Sequence, residues 1–308
     1  MATINRRKFI YPTAIVTTMG PILSSFGNTV VKNDEEVTKN ISLGVISEAN
    51  NPEEDLKVVR DLGVPTCQLN IDRYSPELVK RLLNTLSEYK ISPTALTCMG
   101  PGIYKWDFID GPSTIGLVPS LNRAARIERL KQGIDFCKEA VIPAVHAHFG
   151  FIPEDPKNIL YIEFIDTMKN VGEYALKRSI DIYFETGQET PITLRRTIED
   201  IGTGNLFVNY DTANLVMYGK ANALDGLKVL GKYIRGMHAK DGEYPTDPSK
   251  LGKEVPIPMG EVDFPRIISF LKQIGFKGAI TIECELSGTK KEYILKTKNY
   301  LGKLILSA

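Results

Sequence analysis

Ile180-Asp181-Ile182-Tyr183-Phe184-Glu185, followed at once by Thr186-Gly187-Gln188-Glu189, is the stretch on which the reading of this chain turns. Side chains alternate faces along an extended strand. Here Ile180, Ile182 and Phe184 share one face, opposite Asp181, Tyr183 and Glu185. The strand ends on a carboxylate, on the face that lacks the bulky aliphatic residues. Leu206–Asp211 repeats the pattern, with Leu206, Val208 and Tyr210 opposing Phe207, Asn209 and Asp211. Ile234–Ala239 carries His238, and Ala279–Glu283 sets Ile280 and Ile282 against Thr281 and Glu283.

Working outward, the rhythm continues from residue 41. Strands are predicted at Ser42–Ser47, Thr66–Asn70, Thr94–Cys98 and Ala144–Phe149, besides the four above. Amphipathic helices are predicted between them, among them Pro52–Leu62, Pro76–Tyr89, Leu121–Glu139, Ile159–Lys177 and Pro191–Ile201, with Ala223–Leu230, Phe264–Ile274 and Lys290–Leu304 further on. Asn51 and Ser75, each before a proline, are expected N-caps, and Gly63 and Gly275 expected stops. Eight strands alternating with eight helices is the count of a (β/α)8 TIM barrel. A doubly wound sheet would place a glycine-rich turn after its first strand. Val45-Ile46-Ser47-Glu48-Ala49-Asn50 contains no glycine. A single α/β barrel domain over residues 41–305 follows, since no linker divides the segment.

In such a barrel the apolar strand faces meet the helices, so Glu185, Asp211, His238 and Glu283 point inward at the carboxyl ends, where barrel active sites lie. Their spacings of 26, 27 and 45 residues fit one ligand per successive unit with a long loop after the seventh strand. One polar residue ending a strand means little. Four in phase predict a site for one divalent metal. Three carboxylates and one imidazole favour Mn or Mg, with Co or Zn compatible.

Composition removes other classes. Lys and Arg number 38 against 37 for Asp and Glu, so a net charge of +1 offers no footprint for nucleic acid. Cys67, Cys98, Cys137 and Cys284 lie far apart and show no zinc or redox spacing, so reduced, structural thiols are expected. Residues 1–33 read as a leader: Arg6-Arg7-Lys8-Phe9-Ile10 precedes a short, weakly apolar run broken by Pro12, Gly20 and Pro21. It resembles a twin-arginine export signal, which implies a periplasmic location, and it is too short and broken to span a bilayer. No other segment is expected to cross a membrane.

With the four ligands, Gly44-Val45, His148-Phe149-Gly150 and Pro258-Met259-Gly260-Glu261-Val262-Asp263-Phe264, the chain resembles the xylose isomerase-like barrel superfamily over roughly residues 41–305. That group includes ketose 3-epimerases, inosose isomerases and dehydratases, and endonuclease IV. The resemblance implies a metal-dependent sugar or cyclitol isomerase or epimerase acting through an enediolate, with a small carbohydrate as partner. Glu185 and Glu283 would be the proton-transfer pair, and Asp211 and His238 would serve mainly as ligands. A lyase on 3-keto glycosides and a non-catalytic carbohydrate-binding barrel are the alternatives, and a homo-oligomer is left open. Endonuclease IV chemistry is excluded, because His146, His148 and His238 are the only histidines and its trinuclear zinc site needs more. Asn214 stands where ketose 3-epimerases usually carry a His, and Gly242, Glu243 and Tyr244 replace an expected Arg. Both departures argue against simple ketose epimerisation.

Further candidates for substrate contact are His148, Lys240, Trp106, Gln68 and Asn214, with Glu189 beside them. His148 shares the inward phase of His146 and reads either as a sugar contact or as a satisfied core histidine. Lys240 reaches substrate oxygens or pairs with Asp241. Trp106, the single tryptophan, is an aromatic plate for a sugar face or a loop anchor. The segment 241–260 is a candidate lid, and no glycine-rich phosphate cradle follows the last two strands.

Overall fold

The computed structural model describes residues 41–307 apart from 287 and 289. The leader over residues 1–33 lies outside them. In chain order the elements are β1 (Ser42–Glu48), α1 (Pro52–Leu62), β2 (Thr66–Asn70), α2 (Pro76–Tyr89), β3 (Ser92–Thr97), α3 (Gly111–Thr114), α4 (Arg123–Glu139), β4 (Ala144–Ala147), α5 (Ile159–Leu176) and β5 (Asp181–Glu185). The second half runs α6 (Pro191–Ile201), β6 (Leu206–Asp211), α7 (Thr212–Met217), α8 (Ala223–Leu230), β7 (Ile234–Ala239), β8 (Asp241–Gly242), β9 (Glu254–Val255), α9 (Phe264–Gln273), β10 (Ala279–Ile282) and α10 (Lys290–Leu306). β1 to β7 and β10 close into one parallel eight-stranded barrel, and β8 and β9 form a small antiparallel hairpin beside it. The chain is a (β/α)8 TIM barrel.

Local chemistry sets the helix ends. Ser75 Oγ accepts from Leu78 N at 3.1 Å, a true N-cap. Asn51 differs from expectation: its side-chain oxygen is taken by Arg81, and Asp55 instead accepts from Asn51 N at 2.8 Å. Gly63 stops α1 at φ 64°, a left-handed conformation that favours glycine. Strand ends shift by a residue or two, so Glu283 follows β10 rather than ending it.

Two separate apolar regions hold the barrel. Leu56, Ile182, Phe184, Val208, Ile280 and Phe264 belong to the large layer between strands and helices. Each such side chain contributes roughly 1.5–3 kcal/mol on burial. Inside the barrel, Ala95, Ala144 and Tyr183, packed by Phe207, form a small plug. Cys67, Cys98 and Cys137 are buried free thiols, and Cys284 is free and partly covered. Among the described residues no helix is long and apolar enough to cross a membrane.

Two long connections shape the rim, that after β3 and that after β7. Phe108 N donates to Ser249 O at 3.4 Å, and Asp107 bridges Lys250, so they are joined. Arg126, 2% exposed, anchors the first by donating to Pro101 O at 3.0 Å and Gly116 O at 2.8 Å. The segment after β7, the candidate lid, has its two ends clamped together. Asp241 accepts from Gly242 N and Gly260 N at 2.9 Å and from Val262 N at 3.1 Å.

Candidate metal centre and active site

Glu185, Asp211 and His238 complete or nearly complete β5, β6 and β7, and Glu283 follows β10, so four neighbouring strands deliver four side chains to one point. One donor atom from each lies within 4.8 Å of all the others. His238 Nδ1 is 3.1 Å from Glu185 Oε1, 3.0 Å from Glu283 Oε2 and 3.6 Å from Asp211 Oδ2.

The layer beneath fixes this arrangement. His238 Nε2 lies 2.6 Å from Gln68 Oε1, and Gln68 Nε2 donates to Asn209 Oδ1 at 2.9 Å. An amide oxygen only accepts, so Nε2 carries the proton and Nδ1 turns to the carboxylates. Gly236 leaves space for this chain, because a Cβ there would lie 2.6 Å from Asn209 Oδ1. Thr186 Oγ1 clamps Asp211 by its backbone N and O, both at 2.9 Å. Asp211 Oδ1 caps α7 by accepting from Asn214 N at 2.7 Å. Asn214 Nδ2 donates to Glu185 Oε1 at 3.2 Å.

The electrostatics suit a cation. Asp211 Oδ2 is buried with no hydrogen-bond partner among the described residues, His238 Nδ1 lying 3.6 Å away, which is costly for a carboxylate. Burial drives Asp211 up to about 7, against the pull of His238 and Lys240. Burial also opposes charge on Glu283, but the fields of His238 and Lys240 prevail and draw it down to about 2. For Glu185 burial is likewise outweighed, by His148, His238 and His146, and its carboxyl falls well below the ordinary range. His238 is held well above its usual value, burial being overcome by Glu185 and Glu283. Three carboxylates facing one imidazole nitrogen thus retain a proton where a divalent ion has its natural donors. These residues fit a metal.

Residues 56–303 match the family model described as Xylose isomerase-like TIM barrel. The chain belongs to this family. A xylose isomerase domain protein of Planctomyces limnophilus superposes with TM-score 0.80 at 28% identity, covering 87% of this chain and 99% of that one. A D-tagatose 3-epimerase-like protein gives 0.67 at 20% identity, covering 86% and 97%. An uncharacterized protein of Methanocaldococcus jannaschii is 28% identical over 180 residues, 53% of this chain and 59% of that relative. Solved structures of the same fold also include proteins named L-ribulose 3-epimerase, D-psicose 3-epimerase and 3-keto-D-glucoside 4-epimerase, at 13–16% identity.

Around the four-residue cluster the other sequence-predicted residues take distinct places. His148 Nε2 is 3.2 Å from Glu185 Oε2, and its Nδ1 is 3.1 Å from Gln188 Nε2. Burial lowers its pKa, despite Glu185. Trp106, 46% exposed, meets the His148 ring edge-on at 4.9 Å at the barrel mouth. Lys240 does not pair with Asp241. Adjacent residues on extended chain face opposite ways, and Lys240 Nζ lies 2.9 Å from Glu285 Oε2 and 3.6 Å from Glu283 Oε2. Gln68 and Asn214, expected to touch substrate, are 1% and 5% exposed, with their amides engaged by His238, Asn209 and Glu185. Glu189 is buried, and burial pushes its carboxyl up to about 8.

The structure adds one residue that strand phase alone does not single out. His146 Nε2 lies 2.5 Å from Glu185 Oε2, and His146, Glu185 and His238 form a second overlapping cluster. Its inward phase, shared with His148, was the available signal.

Proposed function

We propose that this chain is a divalent-metal-dependent sugar or cyclitol isomerase or epimerase that moves a proton beside a carbonyl. One observation carries the reading. Glu185 and Glu283 face each other across His238 Nδ1, at 3.1 and 3.0 Å, with a buried carboxylate oxygen of Asp211 left without a hydrogen bond 3.6 Å from the same nitrogen. The names of the solved epimerases sharing the fold agree with it.

Glu185, Asp211, His238 and Glu283 would hold the ion, and their oxygen-rich set favours Mg or Mn. When bound, the ion supplies Lewis-acid polarisation of the substrate carbonyl. Glu185 and Glu283, both kept ionised, are placed to remove a proton and return it to the opposite face. Lys240, whose ammonium is retained well above its usual value because Glu283 and Asp211 outweigh burial, offers protons to substrate oxygens beside Glu283. Trp106 and His148 line the mouth for an apolar sugar face. The leader adds export to the periplasm, and replacing Arg6 and Arg7 by Lys should leave the protein in the cytoplasm on fractionation.

Turnover in heavy water tests the reaction. With metal, candidate keto sugars and cyclitols should gain deuterium at one carbon, and Glu283→Gln at matched metal occupancy should abolish the gain. Release of a fragment would mark a lyase. Tight binding with neither label nor conversion would mark a binding barrel.

A further inference from the structure

Across the barrel from the metal cluster, the rim is bare. Only residues 49–51 and 71–75 connect β1 to α1 and β2 to α2, while 98–122 and 240–263 surround the far side. Between the short connections and α4 lies a cleft of about 690 Å³, lined by Glu48, Asn70, Asp72, Thr97, Pro101 and Arg129. This size falls within the range of small-molecule sites.

The cleft adjoins the reaction centre. Glu48 pairs in register with Asn70, Asn70 with Thr97, and Thr97 with His146. Asn70 stands one strand repeat above Gln68, the support of His238. Thr97 Oγ1 is 3.5 Å from His146 Nδ1, whose Nε2 meets Glu185. A single imidazole therefore links cleft wall and proton-transfer carboxylate.

Its chemistry is selective. Asn50 Nδ2 holds both carboxylates, 3.4 Å from Glu48 Oε2 and 3.1 Å from Asp72 Oδ2. Asp72 N in turn donates to Asn50 Oδ1 at 2.8 Å. The two exposed carboxylates keep acceptor capacity toward the cleft, and Thr97 adds a hydroxyl. The cation on this wall is already engaged: Arg129 donates to Ile71 O at 2.6 Å and stacks on Tyr74 at 3.8 Å. Such a wall suits a ligand rich in hydroxyl donors and repels an anion. Pro101 supplies an apolar patch for the carbon face of a ring.

On the basis of the proposed reaction, we infer that this cleft receives the second residue of an uncharged glycoside whose keto ring lies at the metal cluster. The substrate class is then a glycoside, rather than a free ketose or a sugar phosphate. Three probes test this on the magnesium-loaded full chain: 3-keto-glucose, 3-keto-trehalose and 3-keto-glucose 6-phosphate. The disaccharide should exceed the monosaccharide at least tenfold in kcat/KM for solvent-deuterium uptake, with the phosphate poorest. In the exposed-site double variant Glu48→Ala/Asp72→Ala that ratio should collapse toward one. Equal kcat/KM for the two neutral probes, or a ratio untouched by the double variant, overturns the glycoside assignment while leaving the reaction standing. Absence of exchange with all three counts against the reaction instead, and the cleft is then judged by calorimetry. A tenfold tighter Kd for the disaccharide, lost in the double variant, supports the cleft, and equal Kd values overturn it.

Discussion

The two ends of the barrel interior are made by the same strands and do opposite things. At the amino end β3, β4, β5 and β6 turn Ala95, Ala144, Tyr183 and Phe207 inward as an apolar plug. Two positions further along β5, and four along β6, the same inward face carries Glu185 and Asp211, buried and ionisable. A strand alternates faces strictly, so an inward row can change from packing to chemistry within one or two strand repeats without any change of fold. Packing occupies one end and the proposed chemistry the other.

That division can be broken, beginning with the largest effect. Asp211→Ala should lose stoichiometric metal by elemental analysis, and turnover should fall by more than about 10³, beyond the 10- to 100-fold usual for an outer support. Glu283→Gln at matched metal occupancy should cost about 10² to 10⁴ in turnover, the range for one proton-transfer group. Its unfolding midpoint should not drop. Tyr183→Ala should show the converse, a loss of roughly 3 kcal/mol in denaturant unfolding with metal stoichiometry intact. If Tyr183→Ala empties the metal site, the two ends are not independent. Gln68→Ala sharpens the boundary, because it removes the acceptor that fixes the His238 tautomer, and metal affinity should fall about 10- to 100-fold on titration.

The smallest expected effect is a slope. Glu189 titrates at about 8 folded against 4.5 for the free side chain, so the folded state holds its proton longer. Stability then falls as pH rises through that window and levels above it. In Glu189→Gln, metal-free unfolding between pH 5 and 8 should decline less steeply, with Asp211 supplying part of the remaining slope. An unchanged slope would show that Glu189 is solvated.

The barrel and the four-residue cluster were legible because both rest on periodicity. Alternation places Glu185, Asp211 and Glu283 on the inner face whatever the loops do. Roles that depend on contacts between distant strands were not. Gln68 meets His238 across 170 positions and Asn209 across 141, and nothing local distinguishes such a glutamine from one that faces substrate. His146 looks like any inward histidine until Glu185 is placed beside it. Asn214 was legible as a departure from the family pattern, yet its hydrogen bond to Glu185 depends on how tightly α7 turns after β6.

A Cβ at Gly236 would meet Asn209 Oδ1 and Gln68 Nε2, so this glycine bears on His238 through the amide chain that holds it. Among descendants of this chain, positions 236, 209, 68 and 238 should therefore be inherited as a block. A library that randomises 236 alone would yield inactive clones. One that varies 236 together with 209, allowing a side chain at one to replace volume removed from the other, would recover active ones. An engineer seeking a different metal would then change positions 236 and 209 together, ahead of any of the four cluster residues.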